Sequence, residues 1–308
     1  MVNTLNEINK MAKECPKEFI KACNSEYINN ITNIAKRIES DNDIKIVAIA
    51  GPSGSGKTTT AHILQDELEK IGETTAVVSL DDFYLPADKL PLLPDGSLDI
   101  ESVNSLDIDL IKGCFEQIIK SGTADLPKYD FKTKSRVPNA TQLNIGNHGI
   151  VIVEGLHAMN PLIADLVPSK NILKIYISVN RSVDDDNGVQ MLSSRQIRLI
   201  RRVLRDDRFR GATATETLHL WNNVIDGEQK YLYCFKDTAD ILLATFHPYE
   251  LGVYRERFGK MRSTVHKNAP CYDYFIKTAN ALERFAVIDS ALVPDNSLIR
   301  EFIGDLKI

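Results

Sequence analysis

The chain has 308 residues, of which 43% are hydrophobic and 26% charged, and its formal net charge is -5 at pH 7. This composition predicts a globular protein with enough apolar residues to build one large core or two. The acidic balance argues against nonspecific nucleic-acid binding. No stretch of about 18 apolar residues occurs, so neither secretion nor membrane spanning is expected.

The five cysteines indicate a reducing environment. They are odd in number and never closer than eight residues apart, at Cys15, Cys23, Cys114, Cys234 and Cys271. This spacing fits neither a disulfide framework nor a C-x-x-C metal site. We therefore expect free thiols in a cytoplasmic protein.

The first 42 residues are predicted to form an N-terminal helical extension. Apolar residues recur there at helical spacing, at Leu5, Ile8 and Met11 and then at Ile28, Ile31, Ile34 and Ile38. No chemistry is evident in this part of the sequence.

From residue 43 onward, strand-like apolar runs alternate with helical patterns. The runs cover 44–50, 75–80, 150–153, 172–179 and 239–245, with a helix after the first run that reaches about residue 71. Such alternation predicts an α/β fold with a mostly parallel central sheet flanked by helices. We assign this core to residues 43–255 and expect 256–308 to be a C-terminal helical segment packed on it. Ligands in such folds bind at the carboxyl ends of the strands.

Residues 51–58 read GPSGSGKT and directly follow the first apolar run. Glycines at this spacing let consecutive backbone N–H groups face a phosphate, while the lysine reaches the β- and γ-phosphates and the threonine hydroxyl meets Mg2+. The alternative is a glycine-rich turn with an incidental lysine. The pattern predicts a nucleoside triphosphate and Mg2+, bound by Gly51, Ser53, Gly54, Ser55, Gly56, Lys57, Thr58 and Thr59.

The second strand-like run leads into SLDDFY at residues 79–84. A phosphoryl acceptor hydroxyl needs a carboxylate within hydrogen-bond reach to orient it or take its proton. Asp81 is the candidate for this base. Alternatively, Asp81 or Asp82 caps the following turn.

The run at 150–153 ends at Glu154, followed by Gly155, Leu156 and His157. A carboxylate at this place beside a phosphate loop meets Mg2+ directly or through water, so Glu154 and Thr58 are the predicted metal ligands. Glu154 could instead be a polar stop to a buried strand. His157 can be interpreted as a structural residue at least as readily as a functional one.

An arginine-rich stretch follows at residues 190–211. Arg198, Arg201, Arg202 and Arg205 are spaced for one side of a helix, with Arg208 and Arg210 just beyond. Guanidinium groups suit the charge that develops on a transferring phosphoryl group, so we expect a lid. The alternatives are a solvated helix paired to Asp206 and Asp207, or a helix that contacts nucleic acid.

Residues 127–136 alternate aromatic and basic side chains and predict a strand or hairpin. Tyr129 and Phe131 would lie on one face, where they could close over a base or sugar. Ordinary hairpin packing is the alternative.

Together, these segments resemble the uridine kinase and phosphoribulokinase family of P-loop kinases across about residues 44–255. The chain is most similar to bacterial-type uridine kinase-like nucleoside kinases, although residues 1–40 are too short for the N-terminal domain that many of these share with threonyl-tRNA synthetases. The resemblance rests on GPSGSGKT at 51–58, SLDDFY at 79–84, PKYDFKTKSR at 127–136, VIVEGLHAMNP at 151–161, RLIRRVLRDDRFRG at 198–211 and the tail SLIREFIG at 297–304.

The resemblance implies a P-loop NTPase fold with an arginine-bearing lid and a hairpin over the acceptor site. It makes Asp81 the acceptor base, places Tyr84 and the ribose-binding Asp99 at the nucleoside, and assigns catalytic roles to Lys57, Arg202, Arg205 and Arg210. Acceptor contacts would come from Asp81, Tyr84, Asp99, Tyr129, Phe131, Lys134 and Arg202. The chain departs from the family pattern at Lys134, Leu98 and Ala212, all on the acceptor side.

The sequence thus predicts an ATP- and Mg2+-dependent kinase that phosphorylates the 5′-hydroxyl of uridine, cytidine or a related nucleoside. One alternative is a kinase of the same family that acts on a sugar, polyol or vitamin precursor. Another is an ATP-binding regulatory module without phosphotransfer. The expected partner is a small-molecule hydroxyl acceptor, without nucleic acid or membrane, and the sequence leaves a homo-oligomer open.

Overall fold

The computed structural model describes residues 4–93, 96–130, 133 and 135–304. Its centre is a five-stranded parallel sheet whose strands lie in the order Thr75–Ser79 (β2), Ile150–Glu154 (β5), Ile46–Ala50 (β1), Ile172–Ser178 (β6) and Ile241–Ala244 (β9). This confirms the predicted α/β class. The strands are β1 Ile46–Ala50, β2 Thr75–Ser79, β3 Thr123–Asp130, β4 Ser135–Asn144, β5 Ile150–Glu154, β6 Ile172–Ser178, β7 Val183–Asp184, β8 Gln190–Leu192 and β9 Ile241–Ala244.

Helices cover both faces of the sheet. The central strand β1 and its neighbour β5 are therefore buried along their whole length, which explains their continuous apolar sequence. The helices are α1 Leu5–Glu14, α2 Pro16–Glu39, α3 Lys57–Lys70, α4 Ile108–Ser121, α5 Pro161–Ala164, α6 Ser194–Arg205, α7 Ala214–Tyr231, α8 Glu250–Lys260, α9 Tyr272–Leu282 and α10 Arg300–Ile303.

The sheet register brings three strand ends to one level. Ile49 of β1 pairs with Glu154 of β5, and Ser79 of β2 pairs with the same Glu154. The segments after β1, β2 and β5 therefore begin side by side at the carboxyl edge of the sheet.

The N-terminal helices are part of the core. Thr4 caps α1 in a reciprocal capping box with Glu7, and Pro16 starts α2. Helix α2 packs along α3, where Tyr27 and Thr60 share a buried hydrogen bond of 2.7 Å and Ile31 is fully buried.

The C-terminal residues return to the same face. Helix α9 packs on α8, with the Phe258 and Phe275 rings 4.7 Å apart, and α10 packs on α6. The division into 1–42, 43–255 and 256–308 stays a prediction. Each helix within the described ranges is too short or too polar to traverse a lipid bilayer.

Candidate active site

The phosphate loop joins β1 to α3 and is pressed between other elements. Gly54 and Gly56 have φ angles of 74° and 90°, which side chains other than glycine rarely adopt. A Cβ on Gly54 would lie 2.8 Å from the carbonyl oxygen of Arg198, and one on Gly56 would lie 2.8 Å from Leu298. The glycines are therefore required both by the turn and by close neighbours.

A buried ion pair holds the start of this loop. Arg198 donates to Glu228 Oε1 at 2.7 Å and to the Ser53 carbonyl oxygen at 3.1 Å, and Glu228 also accepts from the Ser53 amide at 2.7 Å. Both side chains are buried, so each charge depends on the other. Ser53, a predicted ATP-binding residue, is thus fixed by α6 and α7.

Arg201 braces the middle of the loop. Its guanidinium makes a two-pronged contact with Glu250, at 2.6 and 2.8 Å, and donates to the Gly54 and Ser55 carbonyl oxygens at 3.2 and 3.4 Å. Burial alone would lower the Arg201 pKa, but Glu250 raises it above its usual value. Arg201 is completely buried and supports the loop from behind.

The predicted metal ligands lie together at the carboxyl edge. Glu154 Oε1 accepts hydrogen bonds from Ser79 Oγ at 2.7 Å and from Thr58 Oγ1 at 3.3 Å. Burial, and after it the charge of Asp81, raise the pKa of Glu154 to about 7, while Lys57 opposes the rise. Lys57, Thr58, Asp81 and Glu154 therefore form one electrostatic cluster, which we call the transfer cluster.

The two neighbouring aspartates have different surroundings. Asp82 pairs with Lys128 at 2.9 Å and accepts the Tyr129 amide at 3.3 Å, which ties it to the β3–β4 hairpin. Asp81 lies in the single helical turn Leu80–Phe83 and acts on the charge of Glu154. Of the two, Asp81 is the one that the structure brings to the transfer cluster.

Glu101 joins the site although the sequence patterns did not single it out. Its pKa is raised to about 7 by burial and by neighbouring Glu228 and Asp81, against the opposing charges of Arg202 and Lys57. A Cβ on Gly227 would approach the Glu101 Cβ to 2.7 Å, so glycine lets α7 pack against it. The only sequence signal was an acidic residue two positions after the predicted Asp99.

Asp99 lines a cleft of about 370 Å3 between the segment 97–101 and α7. Leu98, one of the departures from the family pattern, lies beside it. Polar groups from both walls face this cleft, and its lining includes Asp99, Glu101, Arg202, Asn223, Asp226 and Lys230.

The β3–β4 hairpin lies against the SLDDFY segment. The Tyr129 ring is buried 5.5 Å from the Tyr84 ring, and the Tyr84 hydroxyl donates to the Ile100 carbonyl oxygen at 3.1 Å. Burial raises the Tyr84 pKa well above its usual value, and Asp81 adds to the rise. Tyr129 therefore packs the hairpin against Tyr84. Phe131 and Lys134 lie outside the described residues.

The arginines divide into two sets. The prediction of a lid helix that presents these arginines to the transferring phosphoryl group is wrong for Arg198 and Arg201. The alternative of a solvated surface helix is also wrong, because the residues from Gln196 to Leu204 are buried. Arg202, Arg205 and Arg210 instead gather around Asp206, at 3.3, 2.8 and 3.7 Å.

This second set lies beside the loop, since Arg202 also donates to Ser53 Oγ at 2.7 Å. Asp206–Arg210 forms a π-helical turn that ends at Gly211, and the Arg210 side chain is 54% exposed. Such turns are frequent at functional sites. The part of this stretch that is open to solvent is therefore the turn after α6.

His157 has a structural environment. Its side chain is buried with its ring 5.6 Å from the Tyr231 ring, and burial lowers its pKa to about 4. Burial therefore favours the neutral form of its imidazole.

The family model described as "Phosphoribulokinase / Uridine kinase family" matches residues 46–248. The chain belongs to this family. Its members are phosphotransferases that act on hydroxyl groups, and the chain is an enzyme of this class. The matched range includes the phosphate loop, Asp81, Glu154 and the arginine turn, and ends before the C-terminal segment.

Individual relatives are distant. A uridine kinase of Clostridium novyi is 27% identical over 199 residues, which cover 64% of this chain and 86% of the relative. A uridine kinase of Lactobacillus johnsonii is 26% identical, with 60% and 82% covered. A solved structure described as a possible uridine kinase from Bacillus stearothermophilus is 18% identical, covers 70% of this chain and 97% of that chain, and superposes with a TM-score of 0.48.

Proposed function

We propose that the protein is an ATP- and Mg2+-dependent kinase that phosphorylates the 5′-hydroxyl of uridine, cytidine or a related nucleoside. The observation that carries the proposal is the transfer cluster, which sets a lysine, a hydroxyl and two carboxylates at the carboxyl edge of the sheet. The acceptor cleft bounded by Asp99 and Glu101 begins beside it. The 25–27% identical uridine kinases support this choice of acceptor.

The residues present fit both cofactors. The phosphate loop ends in the N-terminus of α3, whose amides and dipole favour phosphate, and the buried partners of Arg198 and Arg201 keep its shape. Mg2+ is usually bound by one or two carboxylates together with phosphate oxygens. The Thr58 hydroxyl and Glu154 carboxylate would hold it, and when bound it would neutralise charge on the phosphates.

Several side chains of the protein would each have a separate role in the reaction. Asp81 accepts the proton of the acceptor hydroxyl as that oxygen bonds to the γ-phosphorus, and the bond to the β-phosphate oxygen breaks to leave ADP. Lys57 compensates the charge on the transferring group. Arg202, Arg205 and Arg210 supply further positive charge from the turn around Asp206.

Residues around the acceptor cleft would bind the sugar of the nucleoside. Tyr84 and Asp99 would contact the ribose, with Glu101 as an additional hydroxyl partner between them and the transfer cluster. Because three carboxylates line the cleft, it also suits another polyol, which favours such a hydroxyl metabolite as the second candidate. Asp99, Glu101 and Asp226 can each accept from a hydroxyl group.

Asp81→Asn tests the assigned chemistry. We expect turnover to fall about 100- to 10,000-fold, the usual contribution of a general base, with little change in the dissociation constant of ATP. The matched control is Asp82→Asn, because Asp82 keeps its contact with the Tyr129 amide and does not face the transfer cluster. Near-wild-type turnover in Asp81→Asn would exclude Asp81 as the base.

A panel of acceptors then tests the substrate. Uridine, cytidine, adenosine, ribose and glycerate are offered with MgATP, and ADP release is measured against the acceptor-free rate. We expect the pyrimidine nucleosides to give the highest kcat/KM. A response to a sugar or glycerate alone would replace the nucleoside proposal with the second candidate.

A further inference from the structure

The segment Ser297–Gly304, which we call the C-terminal clasp, covers the phosphate loop from outside the family-matched range. Leu298 lies against Gly56, where a Cβ would come within 2.8 Å of it. Gly304 lies against the guanidinium of Arg208 in the turn after α6. The clasp thus bridges the loop and the arginine turn.

The clasp is packed into the core by buried side chains. Leu298, Ile299 and Phe302 are fully buried, and the Phe302 ring lies 5.0 Å from the guanidinium carbon of Arg201. Arg300 is also buried and donates to backbone carbonyl oxygens of residues 290, 293 and 294. This anchoring determines where Glu301, between these residues, can point.

Glu301 is hydrogen-bonded to the first turn of α3. Its Oε2 accepts a hydrogen bond of 2.6 Å from Thr59 Oγ1, and Thr59 is the third residue of α3. The first amides of a helix have no partner within the helix and attract anions. A carboxylate therefore stands beside the place where nucleotide phosphates would bind.

The charge of Glu301 also acts on both sides of the site. Burial and Asp81 raise the Glu154 pKa most, and the Glu301 carboxylate adds to that rise. On the other side it interacts favourably with the Arg210 guanidinium. Any anion bound in the loop would feel the same field.

We propose that Glu301 is a specificity-determining residue that makes the phosphate loop select metal-complexed ATP over free ATP. Free ATP carries more negative charge than its magnesium complex, so a fixed carboxylate nearby repels the free form more strongly. The Thr59 hydrogen bond and the buried clasp keep that carboxylate in place. The inference rests on the proposed use of ATP and Mg2+.

Glu301→Gln tests it, because the amide oxygen can still accept from Thr59 while the charge is lost. Calorimetry measures the dissociation constant of ATP with EDTA and with excess Mg2+, without any acceptor. We expect free ATP to bind about tenfold more tightly to the variant and MgATP to change less than about twofold. Glu301→Asp, which keeps a charge, should retain most of the selectivity.

Glu256→Gln is the control for net charge, since Glu256 is exposed on α8. Equal changes in both dissociation constants, or none in either, would overturn the role of Glu301. This outcome is distinct from failure of the proposed function, which appears as intact ATP binding without phosphorylation of any acceptor. If wild type binds neither form of ATP, both proposals fall.

Discussion

At the scale of single residues, Glu154 is a buried acid of the site that accepts two hydrogen bonds. Two hydroxyl groups, Ser79 Oγ and Thr58 Oγ1, donate to the same carboxylate oxygen, yet burial still raises its pKa to about 7. Ionised Glu154 therefore needs a cation, which suits a residue proposed to face Mg2+.

This pKa predicts that the metal-free protein loses stability as the pH rises. In the unfolded chain Glu154 has the usual glutamate pKa of 4.5, whereas in the folded chain its pKa is raised to about 7. Between these values the folded state binds more protons, so raising the pH favours unfolding. We expect Glu154→Gln to make the decrease in unfolding free energy between pH 5 and pH 8 smaller than in wild type.

Urea unfolding in EDTA at the two pH values measures this difference. Glu39→Gln, which removes an exposed carboxylate at the end of α2, serves as the control and should leave the pH dependence unchanged. An equally steep dependence in Glu154→Gln and wild type would contradict the raised pKa. Added Mg2+ should recover stability at pH 8 in wild type only.

At the scale of elements, the phosphate loop depends on helices that follow it by more than a hundred residues. Helix α6 supplies Arg198 and Arg201, and their acidic partners come from α7 and α8. Each buried pair hydrogen-bonds loop carbonyl oxygens as well as its partner. The loop's shape is therefore set by the packing of three helices.

Removing one member of such a pair is expected to lower the unfolding free energy strongly. Glu250→Ala leaves the Arg201 charge buried without its carboxylate, so we predict a loss of about 3–5 kcal/mol in unfolding free energy. Lys170→Ala breaks the exposed pair with Asp43 and should cost less than about 1 kcal/mol. Chemical denaturation measures the unfolding free energy of both variants. Similar losses would show that burial does not determine how much the Arg201–Glu250 pair contributes to stability.

At the scale of the whole molecule, the two chain ends close one face of the sheet. Helix α2 contacts α3 directly behind the phosphate loop, and its Asn24 donates to the Tyr249 hydroxyl, which also contacts Ser297 of the clasp. The N-terminal helices, the sheet and the clasp thus share one apolar cluster. We expect them to unfold together.

Ile31→Ala tests this cooperativity from the N-terminal side. The side chain is fully buried between α2 and the core, so its truncation should cost about 2–4 kcal/mol in a single unfolding transition. Asn29→Ala, at an exposed position of the same helix, should change stability little. Circular dichroism and Trp221 fluorescence follow the transition; separate midpoints would show that the N-terminal helices unfold independently.

The sequence alone determined the sheet, the phosphate loop and the placing of acids after strands, because strand periodicity and glycine spacing are local properties. It also placed Asp81 and Glu154 at one edge, since parallel strands end together. Glu101 and Glu301 carried no such local signal, and the arginines of α6 shared one spacing although they pair with different carboxylates.

Only the tertiary structure decided which charges are buried, which pairs they form and which side chains surround the loop. Arg201 and Arg202 are adjacent in sequence, yet one is enclosed with Glu250 and the other faces Ser53 and Asp206. Partners of this kind come from distant segments, and burial changes the energy of a charge far more than local sequence does. The phosphate loop is thus a local motif whose shape depends on long-range packing.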